Sequence, residues 1–121
     1  MNNIKYEFPK INEVVSIGKV TMTFSKKNKQ FIFPRFHIII NKKKGPNEEE
    51  GFQVTCLELQ LFSFGLNIEE AKKDILNLSI AFIEEIIQNE SYNKLNNLLI
   101  DKNMEDYWAL YRLVLFKLAY T

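Results

Sequence analysis

The spacing of apolar residues changes near the middle of the chain, and this change limits the folds that the chain can adopt. Up to about residue 64, apolar residues recur at every second position or in short β-branched runs, which is typical of strands. From Asn67 onward they recur every three or four positions, which is typical of helices. A strand-rich half followed by a helical half predicts an α+β fold.

The first half, residues 12–64, predicts a three- to four-stranded, mainly antiparallel sheet. Strands are expected around 20–24, 30–41 and 52–56, separated by polar or Gly-Pro-Asn turns. The run Ile38–Ile40 is typical of a central strand covered on both faces. Pro34 has no N–H to donate, so it predicts an edge, a bulge or a strand break. After Cys56 the apolar phase shifts by one residue, which indicates a bulge or a strand end.

The main helix is predicted over residues 67–89, across one face of the sheet. Asn67 can cap its N-terminus and Glu70, three residues later, can reciprocate. One apolar stripe consists of Ile68, Ala71, Ile75, Leu78, Phe82 and Ile86. A second stripe consists of Leu76, Ile80, Ile83 and Ile87. The helix must therefore contact the sheet and one further surface.

The segment 92–120 predicts a helical C-terminal appendage. A short helix is expected at about Tyr92–Ile100 and a longer one from about Met104 to Tyr120. The longer helix is too apolar for a free tail. It either docks on the second stripe of the main helix, which is the favoured interpretation, or forms a homodimer.

Length and composition favour one cytoplasmic domain over residues 1–121. The chain has 121 residues, 46% of them hydrophobic, and a net charge of +1, so no global charge attracts it to DNA or membranes. Its start lacks the apolar core of a signal peptide, and no apolar run reaches the ~18 residues that span a bilayer. The single Cys56 excludes an internal disulfide and is expected to be a buried hydrophobe.

The residues that usually carry out catalysis are not arranged for it. His37 is the only histidine and lies in a strand, so no second histidine completes a metal site. Ser63 lacks the preceding small residue of a nucleophile elbow. Glu84 and Glu85 are adjacent on a helix and face different directions. We therefore expect no catalytic residue, no metal and no cofactor, and a protein that is not an enzyme.

Two lysine-rich turns provide the basis for an alternative function in nucleic-acid binding. One contains Lys26, Lys27 and Lys29, and the other consists of Lys42–Lys44. Aromatic residues of the intervening strand could stack on bases beside Lys42, Lys43 and Lys44. However, the two turns should lie at opposite ends of the sheet, and Glu48–Glu50 partly cancels the second cluster.

The order of motifs from about residue 35 to 90 resembles the HicB-like antitoxin domain. In that family a strand leads through a Pro-Glu-Leu-Pro-Gly-like segment and a short strand ending in glycine into a helix that opens Thr-Leu-Glu-Glu-Ala. Here Glu58-Leu59 matches the acidic-leucine pair, Gly65 the glycine, and Asn67–Ala71 the first helical turn. Leu57, Gln60 and Leu61 replace the usual prolines and glycine, so the path of the short strand departs from the family.

The resemblance implies a partial ribonuclease-H-like domain without nuclease residues, which neutralises a small toxin by covering its surface. The C-terminal helix is aromatic and nearly uncharged, so it does not match the DNA-binding segments that family members often add. A protein partner, for example a small toxin, and a homodimer are therefore expected. Contact is expected at the strand edge near 34–37, the loop 58–64 and the last helix, through Arg35, His37, Glu58, Phe62, Phe64, Trp108 and Tyr111.

Overall fold

The computed structural model describes residues 8–26, 29–89, 93 and 104–119, and it confirms the predicted α+β class. After a 3-10 turn at Ile11–Glu13, the elements in chain order are β1 Val14–Lys26, β2 Lys29–Lys44, β3 Glu50–Cys56, β4 Leu61–Gly65, α1 Ile68–Gln88 and α2 Glu105–Ala119. The predicted helix at 92–100 falls outside the described residues, apart from residue 93. Neither described helix is both long and apolar enough to cross a membrane.

The four strands form one antiparallel sheet in the order of the sequence, β1-β2-β3-β4. β3 pairs with β2 only from Ile38 to Lys44, so within the described residues the earlier part of β2 pairs with β1 alone. The register passes from Val20 opposite Phe36 to Met22 opposite Phe33, which leaves an extra residue on β2 at Pro34–Arg35. Of the edge, bulge or strand break predicted at Pro34, the structure shows a bulge, because a residue without an N–H fits where the ladder is interrupted.

The sheet is covered on both faces, as the run Ile38–Ile40 predicted. Ile38 and Ile40 belong to the core under α1, whereas Ile39 points to the opposite face and packs with Leu110 and Tyr111 of α2. The prediction that the last helix docks on α1 was therefore wrong. The apolar second face of the sheet needs a cover of its own, and α2 supplies it.

The helix α1 begins as predicted but buries a different set of residues. Asn67 Oδ1 accepts a 2.8 Å hydrogen bond from the Glu70 N–H, and Glu70 accepts one of 3.2 Å from the Leu66 N–H instead of from Asn67. The fully buried positions are Ala71, Ile75, Ser79, Ile83 and Ile86. Leu78, expected in the first stripe, is 47% exposed because it lies one position away from this row. Ile83, assigned to the second stripe, packs in the core with the first.

Gly65 of β4 lies close against the backbone of α1, which predicts a strong effect of a side chain there. A Cβ at this position would meet the Ala71 nitrogen at 2.6 Å, and that atom is held by the hydrogen bonds of the helix. We expect Gly65→Ala to lower the free energy of unfolding by about 1–3 kcal/mol in urea denaturation. Gly18→Ala is the matched control, since its Cβ would meet its nearest neighbour at 4.0 Å. Equal effects of the two substitutions would contradict the prediction.

Gln60, in the turn between β3 and β4, has a φ of 57°, in the left-handed region that favours glycine. Relief of about 1–2 kcal/mol of backbone strain should exceed the entropic cost of glycine. Gln60→Gly is therefore expected to raise the free energy of unfolding by about 0.5–1 kcal/mol in the same assay. Gln60→Ala keeps the strain, so it should not raise the free energy of unfolding. An increase in that variant would contradict this explanation.

Candidate functional site

The site is built around His37 and Glu58, which the turn at residues 57–60 brings together. Glu58 Oε1 accepts a 2.8 Å hydrogen bond from the backbone N–H of His37, and Glu58 Oε2 lies 2.7 Å from His37 Nδ1. The Leu57 N–H donates to the His37 carbonyl at 3.0 Å. The turn thus closes the edge of β2 at His37, which was predicted to be open for a partner.

We call this pair and four aromatic residues near it the aromatic cluster: His37, Glu58, Phe62, Tyr107, Trp108 and Tyr111. The His37 ring lies 4.9 Å from that of Trp108 and 5.2 Å from that of Tyr111, both in edge-to-face geometry. Tyr107 lies 5.7 Å from Phe62 of β4. The cluster therefore connects β2, the turn at residues 57–60 and β4 to α2.

The aromatic cluster is partly open at the surface. The side chain of His37 is 22% exposed and Phe62 is 36% exposed, whereas Tyr111 is buried. Because a carboxylate can only accept, Glu58 favours a proton on His37 Nδ1, which leaves Nε2 of the neutral ring as an acceptor. The partly exposed side chains of His37 and Phe62 thus offer aromatic area, which suits recognition of another molecule.

The two tyrosines in the cluster are held in their neutral forms. Burial raises the pKa of Tyr111, and the negative charge of Glu58 raises it further. Burial also raises the pKa of Tyr107, against a smaller opposing effect of a hydrogen bond with Gln53. Both hydroxyls therefore remain hydrogen-bond donors well above neutral pH.

These raised pKa values predict a loss of stability at alkaline pH. A tyrosine with a folded pKa above its unfolded value of 10.0 stabilises the fold below pH 10, and this contribution is lost as pH rises through the folded pKa. We expect the free energy of unfolding to fall above pH 10, as measured by urea denaturation at a series of pH values. The free energy of unfolding of the Tyr111→Phe variant should fall less steeply over this pH range than that of the unsubstituted protein. Identical slopes would show that Tyr111 does not contribute.

A row of buried polar side chains lies next to the cluster on the same face of the sheet. Gln53 accepts a hydrogen bond of 2.9 Å from Lys43 Nζ and donates one of 3.3 Å to Thr55. Asn41 donates to the Lys42 carbonyl, and its Oδ1 has no hydrogen-bond partner among the described residues. Sequence reasoning missed Gln53 and Tyr107, because each falls in a pattern that indicates an ordinary strand or helix position.

The structure brings four of the residues predicted to contact a partner into direct contact: His37, Glu58, Trp108 and Tyr111. A fifth, Phe62, is linked to them through Tyr107 of α2. Phe64 lies apart from them, with its ring against Gly45 and Gly51 at the β2–β3 hairpin. The backbone of Arg35 belongs to β2, but its side chain lies outside the described part of the structure.

The lysines of the alternative site lie at the end of the sheet where β2 turns into β3. Lys42, Lys43 and Lys44 line a cavity of about 430 Å³ together with Glu13, Glu50, Gly51, Phe52 and Leu66. Lys26 and Lys29 pair at the other end of the β1–β2 hairpin, so the two basic turns do not form one patch, as predicted. The two carboxylates in the cavity oppose the positive potential of its lysines.

The candidate nucleophiles are occupied or shielded. Cys56 is fully buried, as predicted, and burial raises the pKa of its thiol to about 12. Ser63 Oγ donates a 2.7 Å hydrogen bond to the Ala71 carbonyl. Among the described residues, no group of three or more histidines, cysteines or acids is placed to hold a metal ion.

Comparison with protein-family models, curated proteins and solved structures finds no match to this chain. The functional argument therefore rests on the geometry of the aromatic cluster and on the chemistry of its residues.

Proposed function

We propose that this chain is a non-catalytic protein-binding domain that contacts its partner through the aromatic cluster. The observation that carries the proposal is the contact of partly exposed His37 with Glu58, Trp108 and Tyr111, which Tyr107 of α2 extends to the exposed Phe62. Tyrosine, tryptophan and phenylalanine dominate the energetic centres of protein interfaces. Rings that are already fixed by packing lose little conformational entropy on binding.

The partner in this proposal is a small protein of the kind that HicB-like antitoxins neutralise. Support comes from the Glu58-Leu59 turn, Gly65 and the Asn67–Ala71 helix start, which carry the resemblance to that family. Glu58 is engaged with His37, so its role is to hold the histidine ring while Phe62 and Trp108 supply contact area. A cytoplasmic location, expected from the sequence, belongs to the same proposal.

The test uses the protein encoded by the neighbouring reading frame, if that frame encodes a small basic protein. Co-expression should give a stoichiometric complex, and calorimetry with purified chains should give a defined Kd. Phe62→Glu places a charge in the proposed contact and should weaken binding at least about 100-fold. Leu78→Glu is the matched control, because Leu78 is similarly exposed but lies on α1, across the sheet. Equal binding by both variants, or no binding by the unsubstituted chain, would refute the proposal for this partner.

A nucleic-acid-binding module is the second candidate, and the observation in its favour is the cavity lined by Lys42, Lys43 and Lys44. Binding to single-stranded RNA or DNA should then weaken steeply as salt concentration rises. In a gel-shift assay the shift should disappear in the double variant Lys42→Glu, Lys43→Glu. A shift that persists in this variant would exclude the lysine cavity as the site.

A further inference from the structure

The outer face of α2, which points away from the sheet, carries a row of exposed apolar residues. Leu110 and Tyr111 face the sheet and are buried, whereas Leu113 is 49% and Phe116 is 59% exposed. At 100° per residue, Ala109, Leu113 and Phe116 fall within an arc of about 60° on the side opposite the buried residues. Large apolar side chains grouped in this way are typical of an interaction surface.

The same face changes the sign of its charge along the helix. Asp106 lies in the first turn and Lys117 in the last, and both are exposed. By the same angular spacing they lie on the same flank of the apolar row, within about 20° of each other. A second α2 helix that ran antiparallel would therefore place the lysine of each copy beside the aspartate of the other. In a parallel pair the two aspartates would lie at one end and the two lysines at the other, so no lysine would reach an aspartate.

The sizes of the apolar residues fit the same arrangement. If two antiparallel helices cross near residue 111, Leu113 of one copy lies over Ala109 of the other, because both are two residues from the crossing point. The small alanine side chain leaves room for the leucine and allows the helices to approach closely. With the same crossing point, Asp106 lies opposite residue 116 of the second copy, one residue from Lys117. The Leu113–Ala109 contact and the Asp106–Lys117 pair thus agree on a single register.

We propose that the outer face of α2 is a homodimer interface, in which the α2 helices of two copies pack antiparallel around Ala109 and Leu113. The interface is separate from the aromatic cluster, which lies on the inner side of α2, and this inference does not depend on the proposed function. A single helix pair is a small interface, so we expect a reversible dimer with a Kd on the order of 10 µM.

Sedimentation velocity of the full chain between about 1 and 500 µM tests this proposal, and we expect a concentration-dependent shift from monomer to dimer. Leu113→Glu should raise the dimer Kd at least about 100-fold, because the new charges would be buried at the centre of the interface. Leu78→Glu, on an equally exposed leucine of α1, should leave the Kd unchanged. Urea denaturation of each variant checks that the fold is retained.

Charge reversal tests the antiparallel arrangement directly. Asp106→Lys and Lys117→Asp should each weaken the dimer about five- to tenfold, and the double variant should restore it. A parallel dimer would not show this rescue. Three results would each overturn the proposal. The first is a chain that stays monomeric at all concentrations, and the second is a dimer that is insensitive to Leu113→Glu. The third is a monomeric chain that binds a different protein and loses that binding on Leu113→Glu.

Discussion

Cys56 in the folded protein should react with a thiol-specific disulfide reagent at pH 8 at least about a thousandfold more slowly than in the unfolded chain. Only the thiolate attacks such a reagent, and burial raises the pKa of this thiol from 9.0 to about 12. Three units of pKa reduce the thiolate fraction by about 10³. The side chain is also inaccessible, with 0% exposure, so the reagent can reach it only in molecules whose core has opened.

The measurement is the labelling rate in buffer compared with the rate in concentrated guanidinium chloride, where the single thiol should react completely. Gly65→Ala, which weakens the packing of α1 on β4, should accelerate labelling in buffer in proportion to its loss of stability. Rapid labelling of the stable, folded chain would show that the Cys56 side chain is not enclosed between the sheet and α1.

Ile39→Ala should lower the free energy of unfolding by about 2–5 kcal/mol, because it removes a large side chain from the packed interior. Ile39 is 0% exposed and lies in the centre of the sheet face that α2 covers. Removal of its side chain leaves a cavity beneath Leu110 and Tyr111 that a rigid helix cannot fill. Because α2 carries the only tryptophan, fluorescence reports on this layer alone.

The expected result is a red shift of the Trp108 emission at urea concentrations too low to change the circular dichroism signal of the sheet and α1. Ile75→Ala, in the core under α1, is the matched control, with a similar loss of stability but no early shift of the tryptophan emission. If the two variants behaved alike, α2 would not be an independent cover of the second sheet face.

Much of the fold was predictable because its signals are local. The alternation of residues in β1, the capping Asn67 and the interrupted ladder at Pro34 each depend on neighbours in the chain. The run Ile38–Ile40 also predicted a sheet covered on both faces. What covers the second face was not predictable, because the periodicity of α2 shows that one side is apolar but not which surface it meets.

The sequence predicted which residues belong to the site better than it predicted how they contact one another. His37 and Glu58 were both singled out, but their hydrogen bonds span 21 residues and depend on the turn that follows β3. Ser79 was not predicted to be in the core although it is buried, because a serine in the middle of α1 interrupts the apolar pattern on which the prediction rests. Leu78 was chosen in its place for its hydrophobicity, and it is exposed.

The strand order β1-β2-β3-β4 has a consequence for the kinetics of folding. Each strand pairs with its neighbour in the sequence, so the sheet can form by successive hairpins with short loops to close. α2 must instead return from residue 105 to contact Ile17 and Ile39, which closes a loop of most of the chain. We therefore expect α2 to dock last. The aromatic cluster, which needs both α2 and the turn after β3, would then exist only in molecules that have completed folding, so partner binding would select the native state.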